Sequence, residues 1–181
     1  VDEVKVIDEQ MEITQGKLVM GYRANVDYAD IDKYYALVVG SNVLGGGPHS
    51  KLFVNVREKE SLCYYIFSSI EKYKSIMFIS SGIETKDYDK AVELIKKQVE
   101  SVKAGDISDE ELENSKLALV NSMKSITDNI GGMSDFVFSQ SMAKTNSEVQ
   151  DIISSIEKVT KKDIVEAIKN IELDTVYFLR N

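Results

Sequence analysis

The sequence predicts an α+β domain, a two-layer sandwich in which a mainly antiparallel sheet is covered on one face by helices. Two kinds of segment support this prediction. In strand-like segments every second residue is apolar, and in helix-like segments apolar residues recur every three or four positions. They follow one another in the order β-α-α-β-β-α-α-α-α-α-β. The chain has 181 residues, of which 43% are hydrophobic, and this is enough to bury one core.

Four segments have the alternation of β-strands. The first is 17–24, where Leu18, Met20 and Tyr22 share one face. The other predicted strands are 63–69, 76–83 and 175–179, the middle two joined as a hairpin through residues 71–74. Residues 1–16 are polar and acidic, and we interpret them as a linker or a lead-in strand before a single domain at 17–181.

The first helices are bounded by capping residues and glycines. Asp30 is placed to cap a helix that ends at the glycine run 45–47, which we expect to be a tight turn with positive φ. A short helix should follow from Ser50, with Leu52, Phe53 and Val56 pointing inward. The next helix begins at Thr85 and stops at Gly105.

The second half of the chain is predicted to be helical up to its last strand. Ser108 and Glu111 form a capping box that opens a long helix, which we expect to reach Ile130 and to be broken by the glycines at 131–132. A helix around residues 136–138 follows, and the last two helices span 148–159 and 161–171. Thr160 is the predicted cap of the final helix.

Composition excludes several classes of function. Asp and Glu number 30 against 22 Lys and Arg, a net charge of −8, which argues against a nucleic-acid surface. No stretch approaches the roughly 20 apolar residues of a membrane span. Cys63 is the single cysteine, so we interpret it as a small buried hydrophobe in a reducing compartment. With no export signal visible, the sequence predicts a bacterial-type cytoplasmic location.

The segment LGGGPHSK at residues 44–51 invites a phosphate-loop interpretation, because glycine amides at a helix N-terminus attract anions. Its spacing does not fit: a phosphate loop has four residues between its glycines and follows a strand, whereas a helix precedes this run. His49 is the only histidine, and zinc takes three or four clustered ligands. We therefore predict no metal site in this chain and interpret His49 as an exposed turn residue.

Four segments occur in an order that resembles a known family. They are QGKLVMGY (15–22), LGGG (44–47), SKLF (50–53) and VREKESLCY (56–64). Together they resemble the C-terminal half-domain of the pitrilysin/insulinase metallopeptidases, the group that includes mitochondrial processing peptidase. The resemblance implies a processing-peptidase-like metallohydrolase half-domain that pairs with a catalytic half-domain and closes around a peptide. It also implies a zinc ion bound in the other half by His-x-x-Glu-His, a motif absent here.

The same resemblance assigns roles to two residues spaced Arg-x6-Tyr. Arg57 and Tyr64 fit that spacing, and in the family the pair reaches across the cleft to the substrate. Tyr64 is thereby implied to hydrogen-bond the substrate carbonyl or oxyanion, and Arg57 to position the substrate. The plain alternative is that Arg57 pairs with a neighbouring glutamate while Tyr64 fills the sheet face. Tyr65 is expected to be a core residue.

Two functions follow from this resemblance. The chain is predicted to be the substrate-binding half of a zinc metalloendopeptidase, inactive alone, with a catalytic half and a peptide as partners. The alternative is a catalytically inactive scaffold subunit of the same family. A free edge in the hairpin could also add an extended peptide along Tyr73, Ile76 and Phe78. The sequence leaves open the substrate, and whether both halves share one chain.

Overall fold

Five strands, six α-helices and one π-helical segment are described by the computed structural model, which covers residues 1–181. The strands are β1 (Lys5–Gln10), β2 (Gly16–Arg23), β3 (Cys63–Glu71), β4 (Ile76–Ile83) and β5 (Glu172–Arg180). The helices are α1 (Ile31–Gly45), α2 (Tyr88–Lys103), α3 (Asp109–Ile126), α4 (Ile130–Ala143), α5 (Val149–Lys158) and α6 (Lys161–Ile168). The π-helical segment is Phe53–Glu58, and a single 3₁₀ turn, Thr85–Asp87, precedes α2.

The strands form one sheet in the order β1-β5-β2-β4-β3. Every neighbouring pair is antiparallel except β1 and β5, which run parallel. Strand β2 is central, and its Met20 lies opposite Ile79 of β4 and Val176 of β5. The predicted mainly antiparallel sheet is confirmed.

The helices cover one face of this sheet. Leu18, Met20 and Ile79 point into that layer and are fully buried. The opposite face is only partly covered, since Val19 and Phe78 on neighbouring strands are half-buried. This difference between the faces is what a two-layer α+β fold requires, and it confirms the predicted fold class.

The helix α1 begins as predicted but ends for a different reason. The Asp30 side chain accepts a hydrogen bond from the Lys33 backbone amide and caps the helix. None of the glycines at 45–47 has positive φ, which among the glycines occurs only at Gly105, so the predicted turn geometry is wrong. A methyl group on Gly45 would lie 2.4 Å from the Ser68 backbone nitrogen. Glycine at position 45 instead lets α1 pass close to β3.

The boundary between α3 and α4 also differs from the prediction. The capping box of Ser108 and Glu111 is present and starts α3, but the helix ends at Ile126 rather than Ile130. The Asn129 side chain then accepts a hydrogen bond from the Gly132 amide at 3.0 Å and caps α4. The two glycines therefore lie in the first turn of a helix instead of breaking one, because the asparagine satisfies that amide.

Thr160 forms a capping box with Asp163 and starts α6 as predicted. Strand β1 lies at the sheet edge, and all six of its residues are exposed. The division of the chain into residues 1–16 and 17–181 stays a prediction. No helix is both long enough and apolar enough to cross a membrane.

Candidate functional site

The π-helical segment Phe53–Glu58 and strand β3 meet in a sharp corner. The Ser61 amide donates to the Arg57 carbonyl at 3.0 Å, and the Leu62 amide donates to the Val56 carbonyl at 3.3 Å. Ser61 adopts the left-handed conformation with φ of 52°, which is unusual for a residue other than glycine. These bonds turn the backbone from the segment carrying Arg57 into the strand carrying Tyr64.

Arg57 packs on an aromatic ring at this corner. Its guanidinium carbon lies 4.5 Å from the centre of the Phe53 ring, so Phe53 is half-buried under a cation rather than inside the core as predicted. Arg57 forms no salt bridge, which removes the interpretation that it pairs with a neighbouring glutamate. Burial raises the pKa of the nearby Cys63 thiol. A hydrogen bond with Ser81 and the positive charge of Arg57 act in the opposite direction.

Tyr64 projects from an irregular point of β3. The pairing with β4 steps from Cys63 opposite Ile83 to Tyr65 opposite Gly82, which leaves Tyr64 as an unpaired bulge residue. Bulges re-aim side chains out of the regular alternation. Tyr64 is 61% exposed and its hydroxyl has no partner within the chain. It does not fill the sheet face, so the plain alternative for this residue fails as well.

Beside Tyr64 lies an open, largely polar cleft of about 830 Å³. Its other lining residues are Glu12, Ile13, Thr14, Gln15, Gly16, Ile83, Glu84, Thr85 and Asn181. Arg57 is not among them, and no hydrogen bond joins Arg57 to Tyr64, so the two residues lie on either side of the backbone corner and their joint action on a ligand stays a prediction. Sequence reasoning missed the polar wall formed by Thr14, Glu84 and Thr85.

Tyr65 lies on the partly open face of the sheet. It stacks on Phe67 with ring centroids 6.1 Å apart and lies over Gly82, where a methyl group would meet its ring at 2.6 Å. Tyr65 is half-buried, so the expectation of a core residue is wrong. The bulge is the reason: without it Tyr65 would share the inward face of Cys63.

The free edge of the hairpin belongs to β3, whereas β4 is paired on both sides. Ile76 and Phe78 lie on β4 and are therefore not edge residues, which corrects the peptide groove predicted along them. Tyr73 is 47% exposed, and its hydroxyl donates to Ser139 at 3.2 Å. A strand-addition site at this hairpin could use only the outer edge of β3.

His49 is not an exposed turn residue. It is half-buried, with Nε2 3.2 Å from Asn42 Oδ1 and 3.1 Å from Ser115 Oγ, so it links the end of α1 to α3. Burial lowers its pKa, and nearby Glu111 acts in the opposite direction. No three His, Cys, Asp or Glu side chains are grouped to hold a metal ion.

The fold and the site together define an α+β domain of the peptidase half-domain class, with an exposed tyrosine beside a polar cleft. The sequence profile of the family described as "Peptidase M16 inactive domain" matches residues 2–119. The chain belongs to this family of M16 metallopeptidase-like proteins.

Two proteins of Bacillus subtilis (strain 168) are similar to the chain. A "Probable inactive metalloprotease YmfF" is 43% identical over 176 residues, 97% of this chain and 41% of that protein. An "Uncharacterized zinc protease YmxG" is 30% identical over 120 residues, 65% of this chain and 29% of that protein. The chain thus spans about two fifths or less of these relatives.

A solved structure also matches the whole of this chain with less than half of its own length. The "conserved protein from Enterococcus faecalis V583" has a TM-score of 0.93 and 34% identity, and the match covers 100% of this chain and 43% of that one. The fold described above therefore also occurs as part of a chain more than twice as long.

Proposed function

We propose that this chain is the metal-free, substrate-binding half of a zinc-dependent endopeptidase whose catalytic half lies in the rest of a longer polypeptide or in a partner subunit. The observation that carries the proposal is the placement of Tyr64. A tyrosine that is 61% exposed, without an internal hydrogen bond and beside a cleft of about 830 Å³, has its hydroxyl available for a ligand.

The chemistry at this corner suits a peptide backbone. The Tyr64 hydroxyl can donate a hydrogen bond to the scissile carbonyl oxygen, or to the oxyanion that it becomes. The Arg57 guanidinium carries several donors in a fixed fork, which suits peptide carbonyls, and Phe53 holds it in place. A zinc ion in the other half would polarise the same carbonyl and activate water. The residues of this chain would bind and orient the peptide.

Replacing Tyr64 by phenylalanine in the full-length protein tests this role. Tyr64→Phe removes only the hydroxyl and should lower kcat for peptide cleavage by about 10²–10³, the usual cost of one oxyanion donor. Tyr65→Phe, one residue further along β3, is the matched control and should leave cleavage unchanged. Arg57→Ala should raise KM, since it removes a substrate contact. Cleavage that is unaffected by Tyr64→Phe would refute the assignment.

A second function, a catalytically inactive partner or scaffold subunit, is favoured by one specific observation. The relative that is 43% identical over 97% of this chain is named a probable inactive metalloprotease. The two functions differ in the rest of the longer protein, where an intact His-x-x-Glu-His supports the peptidase and a degraded motif supports the scaffold. If the full-length protein with added zinc binds peptides but cleaves none, the scaffold role is correct. A bacterial-type cytoplasmic location stays a prediction from the sequence.

A further inference from the structure

Helix α4 exposes large apolar side chains on the side that faces away from the domain, although Phe136 and Ala143 on its inner side pack against the core. Of its 14 residues only Ser139 and Gln140 are buried, and both are polar. Four large apolar side chains are exposed instead: Ile130 at 89%, Val137 at 58%, Phe138 at 61% and Met142 at 58%. We call these four residues the α4 face. A surface helix normally buries such a stripe, so the α4 face lacks a covering surface within this chain.

Low charge distinguishes α4 from the other largely exposed helices; the buried helix α1 carries only two charged residues. The α4 sequence, IGGMSDFVFSQSMA, contains a single charged residue, Asp135, in a chain that is 29% charged. Helix α2, by contrast, carries seven charged residues in YDKAVELIKKQVESVK. Depletion of charge is typical of the core of a protein interface rather than of a solvated helix.

The orientation of α4 is fixed from its polar side. Ser139 accepts hydrogen bonds from the Tyr73 hydroxyl at 3.2 Å and from the Lys72 ammonium, both in the turn between β3 and β4. The Ser139 hydroxyl in turn donates to the Asp135 carbonyl at 2.6 Å. The Lys72 ammonium also lies 5.1 Å from the centre of the Tyr73 ring. These contacts, with the packing of Phe136 and Ala143 against the core, hold this side of α4 inward, so the α4 face points away from the domain in a defined position.

We infer that the α4 face docks against the other half of the longer polypeptide, on an apolar and uncharged surface of that half. This inference rests on the proposed pairing with a second half and identifies the surface that makes it. The chain spans 41% of its B. subtilis relative and 43% of the E. faecalis protein, so in each more than half of the protein lies outside the matched region. An apolar patch of this kind suits a permanent contact, which typically buries roughly 1,000 Å² or more on each side, and the four side chains would form part of that area.

A second copy of this chain is a less favourable partner for the α4 face. Each copy carries a net charge of −8, and two such surfaces brought together repel each other. The exposed side chains of the α4 face offer no basic group to offset that repulsion. The other half of the same protein is therefore the occupant that the charge distribution favours.

Cysteine labelling in the full-length protein tests the inference. Phe138→Cys and Leu117→Cys are matched variants, because the two wild-type side chains are 61% and 60% exposed in this domain. Leu117 is a solitary exposed leucine on α3, of the kind that needs no partner. Both variants are made with every other accessible cysteine replaced by serine, and a maleimide is the probe. Val137→Cys is the second variant, should Phe138→Cys fail to fold by circular dichroism.

The expected result is labelling at position 138 at least about tenfold slower than at position 117, independent of protein concentration. Equal rates would overturn the inference. Slow labelling that becomes fast on dilution would also overturn it, since a second copy would then be the occupant. The labelling rates do not depend on peptidase activity. Failure of the docking inference can therefore be distinguished from failure of the proposed peptidase function. Cleavage of an engineered site between the halves, followed by gel filtration, shows separately whether they pair.

Discussion

The guanidinium carbon of Arg57 lies 4.5 Å from the centre of the Phe53 ring, four residues earlier in the same π-helical segment. The other two arginines of the chain are each bonded to an aspartate, Arg23 to Asp174 and Arg180 to Asp8. An aromatic ring holds Arg57 without using its hydrogen-bond donors. This arrangement keeps the guanidinium in place and leaves its donors available to a ligand.

The Arg57–Phe53 contact should be measurable as a coupling energy. In a double-mutant cycle with Phe53→Leu and Arg57→Gln, we expect the two changes to couple by about 0.5–1 kcal/mol, the usual strength of a cation–π contact near the surface. Urea unfolding of the four proteins provides the free energies. Additive effects, with a coupling indistinguishable from zero, would show that the ring does not hold the arginine.

The left-handed conformation of Ser61 leads to a second prediction. Its φ of 52° is strained for any residue with a β-carbon, by roughly 1 kcal/mol, and more so for a β-branched one. Ser61→Gly should therefore leave stability unchanged or raise it slightly, while Ser61→Val should lower it and Tm. Thermal unfolding of both variants is the measurement. A stable Ser61→Val protein would mean that the corner between Arg57 and Tyr64 is not held in this conformation.

What could be predicted from the sequence depended on short-range bonds. Asp30, Ser108 and Thr160 cap helices through amides three residues away, so each cap is visible in a few letters. The packing of Gly45 depends on Ser68, and the hydrogen bonding of His49 depends on Ser115, 66 residues away. No local pattern encodes such partners.

Prediction of the candidate site was limited in the same way, by contacts between residues far apart in the sequence. The spacing of Arg57 and Tyr64 was visible in the sequence, and the backbone turns sharply between the two residues. The bulge that exposes Tyr64 and turns Tyr65 to the open face depends on the pairing of β3 with β4. No sequence pattern indicated that the Phe53 ring packs against Arg57, because Phe53 has the spacing of a core residue. Pairing and side-chain direction decide such details, and neither follows from periodicity alone.

Close contact between α1 and β3 predicts different outcomes for neighbouring glycines. A methyl group at Gly45 would lie 2.4 Å from the Ser68 backbone nitrogen, a group that cannot move without disturbing the strand. At Gly47 the closest atom would be 3.4 Å away, on the movable His49 ring. We expect Gly45→Ala to destabilise the domain by about 3 kcal/mol, and Gly47→Ala to change stability by less than about 1 kcal/mol. Chemical denaturation compares them, and equal losses would contradict the close approach.

The environment of His49 predicts a pH dependence of stability. Burial lowers its pKa below the ordinary value near 6.5, so the unfolded chain binds the proton more readily than the folded one. The stability of the folded state is then greatest above pH 6.5 and falls as the pH drops below it. His49→Gln should flatten the slope of unfolding free energy between about pH 7 and 5. An unchanged slope would show that His49 titrates equally in both states.

The final prediction concerns a lysine buried beside the capping box of α3. The Lys51 side chain is 8% exposed, and its ammonium lies 3.1 Å from Glu111 Oε1 and 3.7 Å from the exposed Asp106. The other Glu111 oxygen accepts the Ser108 amide at 2.7 Å, so one carboxylate serves both the helix cap and the cation. Glu111→Gln can keep the helix cap but removes the nearest carboxylate partner of the Lys51 ammonium. We expect the free energy of unfolding to fall by about 3 kcal/mol.

Glu113 on the same helix provides the control, because its side chain is 71% exposed and its partner Lys116 also donates to the Glu157 carbonyl at 3.1 Å. Glu113→Gln should change stability by less than about 0.5 kcal/mol, because the solvated carboxylate contributes little and Lys116 keeps another partner. Adding Lys51→Met to Glu111→Gln should recover most of the loss, since the buried charge is then gone and the methionine fills its space. Equal effects of Glu111→Gln and Glu113→Gln in urea unfolding would show that Lys51 is solvated in solution. The absence of rescue by Lys51→Met would instead assign the loss to the helix cap.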